Sequence, residues 1–224
     1  MAGVRVIDMA TVVMGPYAAQ VLGDLGADVI KIESPKDTVR HGTLHRTPGM
    51  TPLNLNVNRN KRSVRLNLKD EADRERALEL IGTADILITN MRIGALRRLG
   101  MDYESLAPGN PRLVYAHAQG FRPDSDRADL AAYDETVQAA SGLLDLARRA
   151  GDIGRPVVLP SIFADKVAAL TIAYSTLAAL VHQLVSAAIG EGHRDEDFAV
   201  LLQMQAKASG LELVSENREV SDGL

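Results

Sequence analysis

The chain has 224 residues, 46% of them hydrophobic, which is long and apolar enough for one ordinary domain with a substantial core, or one domain plus an appendage. Its 25 basic against 29 acidic residues leave a formal charge of -4, a balance that excludes the overall basic footprint of a nucleic-acid binder or an acidic-membrane binder. Cysteine is absent, which excludes disulfides and thiolate metal sites and leads us to expect the cytoplasm.

Taken in chain order, "GVRVIDMA" from Gly3 reads as a buried strand. "GPYAAQVLGDLGA" then reads as a helix with Pro16 in its first turn and Gly26 near its end, and "DVIKIE" as a second strand. From Ser34 to Asn60 there is no clear periodicity, and three prolines and "HGTLH" suggest a long functional loop. The alternation then resumes: strand "RSVRLNL", helix "DEADRERALELIGTA" with acids at its start, strand "DILITN", short helix "GALRRLG" and strand "RLVYAHAQG". Strands alternating with helices predict an α/β fold with a largely parallel, Rossmann-like sheet covered on both faces. From Leu130 onward the chain reads as mainly helical. The apolar run from Val167 to Val181 is interrupted by Thr, Tyr and Ser and is expected to fall short of a membrane span. Neither a basic n-region nor an apolar leader opens the sequence, so neither export nor insertion is expected.

Individual motifs sort less cleanly. The first strand-helix junction, "ATVVMGPYAAQ", has no G-x-G-x-x-G, so the nicotinamide reading that Glu33 at the end of the second strand invites is disfavoured. His41 and His45 have i, i+4 spacing but sit in the proline-bearing stretch with no third ligand nearby, so no metal site is expected. "NRNKRSVR" concentrates basic residues that suit either a phosphate contact or a charged strand edge. Asp165 stands near the start of the small and apolar stretch "PSIFADKVAALTIAYSTLAALV", where it is either a helix-start residue facing water or a working group.

"GVRVIDMATVVMGPYAAQVLGDLGADVIKIESP", "NRNKRSVRLNL", "ADILITNMRIGALRRLGM", "NPRLVYAHAQGF", "YDETVQAASGL" and "SIFADKVAAL" together, over about residues 3 to 183, resemble the class III coenzyme A transferase family, which includes formyl-CoA and carnitine CoA-transferases and alpha-methylacyl-CoA racemase. That resemblance implies that Asp165, the one acid in its segment, is a nucleophile moving CoA between an acyl-CoA thioester and a small carboxylic acid through an aspartyl-CoA intermediate. CoA and acyl-CoA are then substrates, with no permanently bound cofactor and no metal. The CoA-binding positions carried over are Val13, Met14, Arg40, Leu66, Lys69, Asn90, Met91, Arg98, Gln119, Gly120 and Phe121. Departures fall at Gln119, where some members have a basic residue, at Ser34, where some have arginine, and before Arg40, where the usual "G-D" is missing. Tyr133 occupies the place of the racemase branch's proton-shuttling histidine and favours transfer over racemisation.

The family's chains run to about twice this length and form interlocked homodimers, so the resemblance implies the front, Rossmann-like half of such a chain at residues 1–183. The expectation is then a truncated protein that still binds acyl-CoA, either as a transferase or as a non-catalytic binding remnant. Residues 184–224 read as a helical tail, in which "AAIGEGHRDEDFAVLLQMQAKASGL" is similar to the C-terminal end of 3-hydroxyisobutyrate dehydrogenase-type enzymes, with a helix opened by "RDEDF".

Overall fold

The computed structural model describes residues 1–42, 45–122, 124–128, 130–151, 154–193, 203, 204, 206, 207 and 210. Its elements are β1 (Arg5–Asp8), α1 (Met14–Asp24), β2 (Asp28–Glu33), α2 (Thr38–His41), α3 (Pro52–Val57), β3 (Lys61–Arg65), α4 (Glu71–Gly82), β4 (Ile86–Thr89), α5 (Ile93–Leu99), α6 (Tyr103–Leu106), β5 (Val114–His117), α7 (Asp134–Ala140), α8 (Leu143–Ala150) and α9 (Phe163–Gly190). The chain folds as two compact units, Met1–Ala178 and Ala179–Leu224.

All five strands are parallel and run in the order β3-β2-β1-β4-β5, with Ile7 of β1 opposite Ile30 of β2 and Leu87 of β4. The α/β reading therefore holds, and the strand order reverses direction between β1 and β4. In such sheets ligands bind beyond the carboxyl ends of the strands at that point, because the connections there leave the two neighbouring strands toward opposite faces.

Period-2 alternation sends the two sets of side chains to different layers. Ile7, Ile30, Ile32 and Leu87 join Ala77, Ile81 and Leu96 in one buried cluster. On the opposite face Val6 and Val29 are buried together with Asp8, Lys31 and Glu33, and α1 turns its buried Ala18, Ala19 and Leu22 inward. Gly23 of α1 approaches β2 so closely that an added Cβ would stand 3.2 Å from the Val29 side chain.

Local chemistry sets the helix ends. Asp70 accepts from the Asp73 amide at the start of α4, and Gly100 ends α5 in the left-handed region at φ 68°. The stretch from Ser34 to Asn60 holds two short helices instead of one loop. Asp37 caps α2 by accepting from the Val39 and Arg40 amides, and Thr51 caps α3, with Pro52 at its first position. Elements of 4 and 6 residues complete barely a turn and leave no periodic signature to read.

The long helix also exceeds its expected limits. The apolar run from Val167 to Val181 lies inside α9, whose 28 residues make it the helix among the described residues that is long and apolar enough, by length and composition, to cross a membrane. Thr, Tyr and Ser do not offset the many Ala and Leu around them. Within the first unit its small residues Ala169, Ala173 and Thr176 form the buried side. The helix expected to open at "RDEDF" lies outside the described residues.

Candidate active site

Two clefts open at the carboxyl edge of the sheet. One, of about 390 Å³, is lined among others by Met14, Asn90, Met91, Gln119, Asp134 and Asp165. The other, of about 400 Å³, is more apolar and is lined among others by Thr11, Ser34, Leu66, Lys69, Met91 and Arg98. Met91 belongs to both. The wall between them is made by Asn90, just past β4, and Thr11, just past β1. The Thr11 amide donates to Asn90 Oδ1 at 2.9 Å and Asn90 Nδ2 donates back to the Thr11 carbonyl at 2.9 Å. Both residues follow the two strands that flank the reversal of strand order, so the clefts straddle the position the topology favours for a ligand.

Asp165 sits in the first turn of α9. Its backbone amide, which helix geometry leaves without an internal partner, donates to Asp134 Oδ2 at 2.9 Å. Asp134 is buried at the start of α7, and its Oδ1 accepts from Gln138 Nε2 at 2.6 Å. Gln138, one turn further on, donates to the Ser161 carbonyl at 3.2 Å and accepts from the Leu159 amide at 3.0 Å. Together they anchor the approach to α9 and so fix where the Asp165 side chain begins. Burial, the neighbouring Asp134 carboxylate and, more weakly, Glu135 raise the Asp165 carboxyl above its ordinary value. A carboxylate kept from water and beside like charge is a better nucleophile and base than a solvated one.

Across the cleft, His117 on β5 faces the Met91 carbonyl through Nε2 at 2.7 Å, and Gln119 Nε2 lies 2.8 Å from His117 Nδ1. A protonated Nε2 donating to that carbonyl leaves Nδ1 to accept from the Gln119 amide, which fixes the tautomer. Gln119 Oε1 is then a buried acceptor with no partner among the described residues, and a donor on a ligand would satisfy it. Gly120 follows, packed so tightly that an added Cβ would lie 2.1 Å from Ala132 Cβ.

Most of the residues singled out from the sequence thus line one of the two clefts: Met14, Asn90, Met91, Gln119, Gly120 and Asp165 the first, and Leu66, Lys69, Met91 and Arg98 the second. Three lie elsewhere. Val13 is buried and lines a third cleft with Ile162 and Lys166. Phe121 follows Gly120 outside both linings. Arg40 lines neither, because its guanidinium is held by the buried Glu33 through bonds of 2.6 and 2.5 Å. Burial pushes Glu33 up most, but hydrogen bonds from Arg40 and Ser63 and the positive charges of Arg40 and Lys31 together hold the carboxyl below its usual range. The sequence reading passed over Asp134 while singling out its neighbour Tyr133. An acid directly before a helical segment was the available signal, but nothing in it indicated a cap for a second helix.

The site is thus a pair of clefts at the carboxyl edge of a Rossmann-like parallel sheet, one of them edged by a half-buried carboxylate at a helix start. The chain belongs to the CoA-transferase family III, whose family model matches residues 1–194. It is similar to the acetyl-CoA:oxalate CoA-transferase of Acetobacter aceti, with 46% identity over 147 residues covering 63% of this chain and 37% of the relative. With the succinate–glutarate CoA-transferase of Agrobacterium fabrum it shares 36% identity over 200 residues, covering 86% of this chain and 49% of that one. The crystal structure of a CAIB/BAIF family protein from Brucella suis superimposes with a TM-score of 0.77 at 34% identity, covering 83% of this chain and 50% of that structure. The chain therefore spans half or less of the length of these relatives.

Proposed function

We propose that this chain carries the CoA-binding clefts and the nucleophile of an acyl-CoA:carboxylate CoA-transferase, with Asp165 as the residue that takes the acyl and then the CoA group. The observation that carries the reading is the half-buried Asp165, raised by burial and by Asp134, at the edge of a cleft whose neighbour ends in Lys69 and Arg98.

In this scheme Arg98 and Lys69 hold the phosphates of CoA, and the pantetheine arm crosses Met91 toward Asp165. An Asp165 oxygen attacks the thioester carbonyl carbon, the C–S bond breaks, and CoA leaves as a thiolate while a mixed aspartyl anhydride forms. The thiolate then attacks the aspartyl carbonyl and expels the donor acid as a carboxylate, leaving an aspartyl-CoA thioester. The acceptor carboxylate attacks that thioester and releases the thiolate, which attacks the acceptor's carbonyl in the new anhydride. Asp165 is regenerated and the acceptor leaves as its CoA thioester. The partial positive charge at the start of α9 stabilises the oxyanion at each stage. CoA is a substrate in this scheme, and the groups named supply all of its proton and charge handling.

The activities for which the relatives are named, acetyl-CoA with oxalate and succinate with glutarate, support small carboxylic acids as donor and acceptor. A second reading, acyl-CoA binding without turnover, is favoured by the partial span of those relatives. Intact-mass measurement after incubation with acetyl-CoA separates the two. Transfer chemistry yields a covalent CoA adduct in wild type and none in Asp165→Asn. Saturable acetyl-CoA binding with no adduct at any pH would leave the binding reading in its place.

A further inference from the structure

Beneath the turn that joins β1 to α1 lies a buried charge cluster that the chemistry above does not use. Asp8 ends β1, Lys31 lies beside it on β2 and Lys61 opens β3, with side chains 0%, 4% and 1% exposed. Two cations therefore share one carboxylate, since the nearby Glu33 is held by Arg40. Lys31 would balance Asp8 by itself, so charge pairing does not account for the second lysine.

What the lysines add is a pair of ties to the backbone. Lys31 Nζ donates to Asp8 Oδ2 at 3.3 Å and to the Ala10 carbonyl at 2.8 Å. Lys61 Nζ donates to Asp8 Oδ2 at 2.8 Å, to the Pro16 carbonyl at 2.6 Å and to Asn58 Oδ1 at 2.9 Å. Asp8 Oδ1 accepts from the Ala10 amide at 2.9 Å. Both ends of the segment Ala10–Pro16 are thus fastened from below, and the Asn90–Thr11 pair fastens it from the side.

Between the ties, Val12 adopts φ 67°, a left-handed conformation that β-branched residues avoid. Its side chain is exposed, so packing does not hold it there. A non-glycine residue persists in such a conformation when its surroundings over-determine it, and such residues gather at ligand sites. Gly15, directly after Met14, is pressed against Ala10, where an added Cβ would come within 2.2 Å of Ala10 Cβ.

We infer that Asp8, Lys31 and Lys61 are positioning residues that hold the strained Ala10–Pro16 turn in the shape that presents Met14 to the cleft of Asp165 for the acyl-CoA thioester. The inference rests on the proposed function for its ligand but not for its geometry.

Lys61→Met in the full chain tests it. Asp8 and Lys31 remain a balanced pair, so the variant should melt at the wild-type temperature or higher, whereas its acetyl-CoA dissociation constant by calorimetry should rise at least tenfold. Amide exchange should quicken at residues 10–15 and stay unchanged in β1 and β4. Val12→Asn, at an exposed position where asparagine tolerates the left-handed region, should melt higher and bind as wild type. Combined with Lys61→Met it should recover part of the lost affinity. Wild-type affinity and wild-type exchange in Lys61→Met would overturn the positioning role while leaving the transferase reading intact. A lower melting temperature for Val12→Asn would overturn the strain. If wild type binds no acetyl-CoA, the proposed function fails, and the exchange rates alone then decide the inference.

Discussion

Asp165, the proposed nucleophile, carries a charge that opposes stability. Its carboxyl is raised above 3.8 by burial, Asp134 and Glu135, so the folded protein binds that proton more tightly than the unfolded chain. Stability from this group is complete below the unfolded value and is lost as pH rises through the folded one. Asp165→Asn should therefore melt above wild type at pH 7, with the difference closing as pH falls through the raised folded value and gone below about 3.8; a scan of melting temperature against pH checks both halves. Lys61 has the mirror-image linkage, because burial pushes it down to about 8, with Asp8 opposing. The charged lysine costs most below that pH, and the stability gain expected for Lys61→Met should shrink between pH 8 and the unfolded value. Asp134 acts on both the start of α9 and the Asp165 carboxyl. Asp134→Ala removes the partner of the Asp165 amide and should cost about 1 kcal/mol in urea unfolding. Asp134→Asn keeps a hydrogen-bonding oxygen but deletes the charge, so the acidic limb of adduct formation should move to lower pH.

At the scale of elements, the connection from β5 into α7 contributes most of what lines the first cleft, and the β4–α5 turn, the start of α9 and Met14 of α1 complete it. The contact between α1 and its own lead-in tolerates no extra atom, since a Cβ on Gly15 would meet both the side chain and, at 3.7 Å, the backbone of Ala10. Gly15→Ala should cost about 1–3 kcal/mol by thermal or urea denaturation. An unchanged midpoint would mean that the turn yields freely. The second cleft depends on α5, which brings Arg98 opposite Lys69. Arg98→Ala should weaken CoA binding about tenfold, a loss of about 1.4 kcal/mol, and dephospho-CoA should lose less if Arg98 holds the ribose phosphate.

For the whole molecule, the described residues of the first unit leave several large apolar side chains uncovered, Tyr133 at 68% and Tyr174 at 65% exposure among them, with Leu130, Phe163 and Val167 also exposed. Large apolar side chains left in water favour association, and we propose that a second copy of this chain covers some of them. Light scattering at micromolar concentration should find association, and Tyr174→Lys should reduce it. A monomer at every concentration would remove the dimer from the proposal.

The alternation of apolar strands with capped helices was legible in the chain itself, and with it the parallel α/β sheet, because each element carries its own period and its own stop signals. Asp165 also stood out near a helix start, whereas Asn90 and Arg98 came only from the family resemblance. The charges on β2 were not legible in this way. "DVIKIE" alternates like a half-exposed strand, yet α1 covers the face that holds Lys31 and Glu33. Lys31 is paired there with Asp8 of β1 and Glu33 with Arg40 of α2, partners that come from other elements. The cap that Asp134 gives to the Asp165 amide crosses 31 residues, and the fastening of Val12 joins four separate segments. Local sequence determines which elements form; long-range contacts decide which charges are buried, which backbone is strained, and where the like-charged neighbour of Asp165 stands.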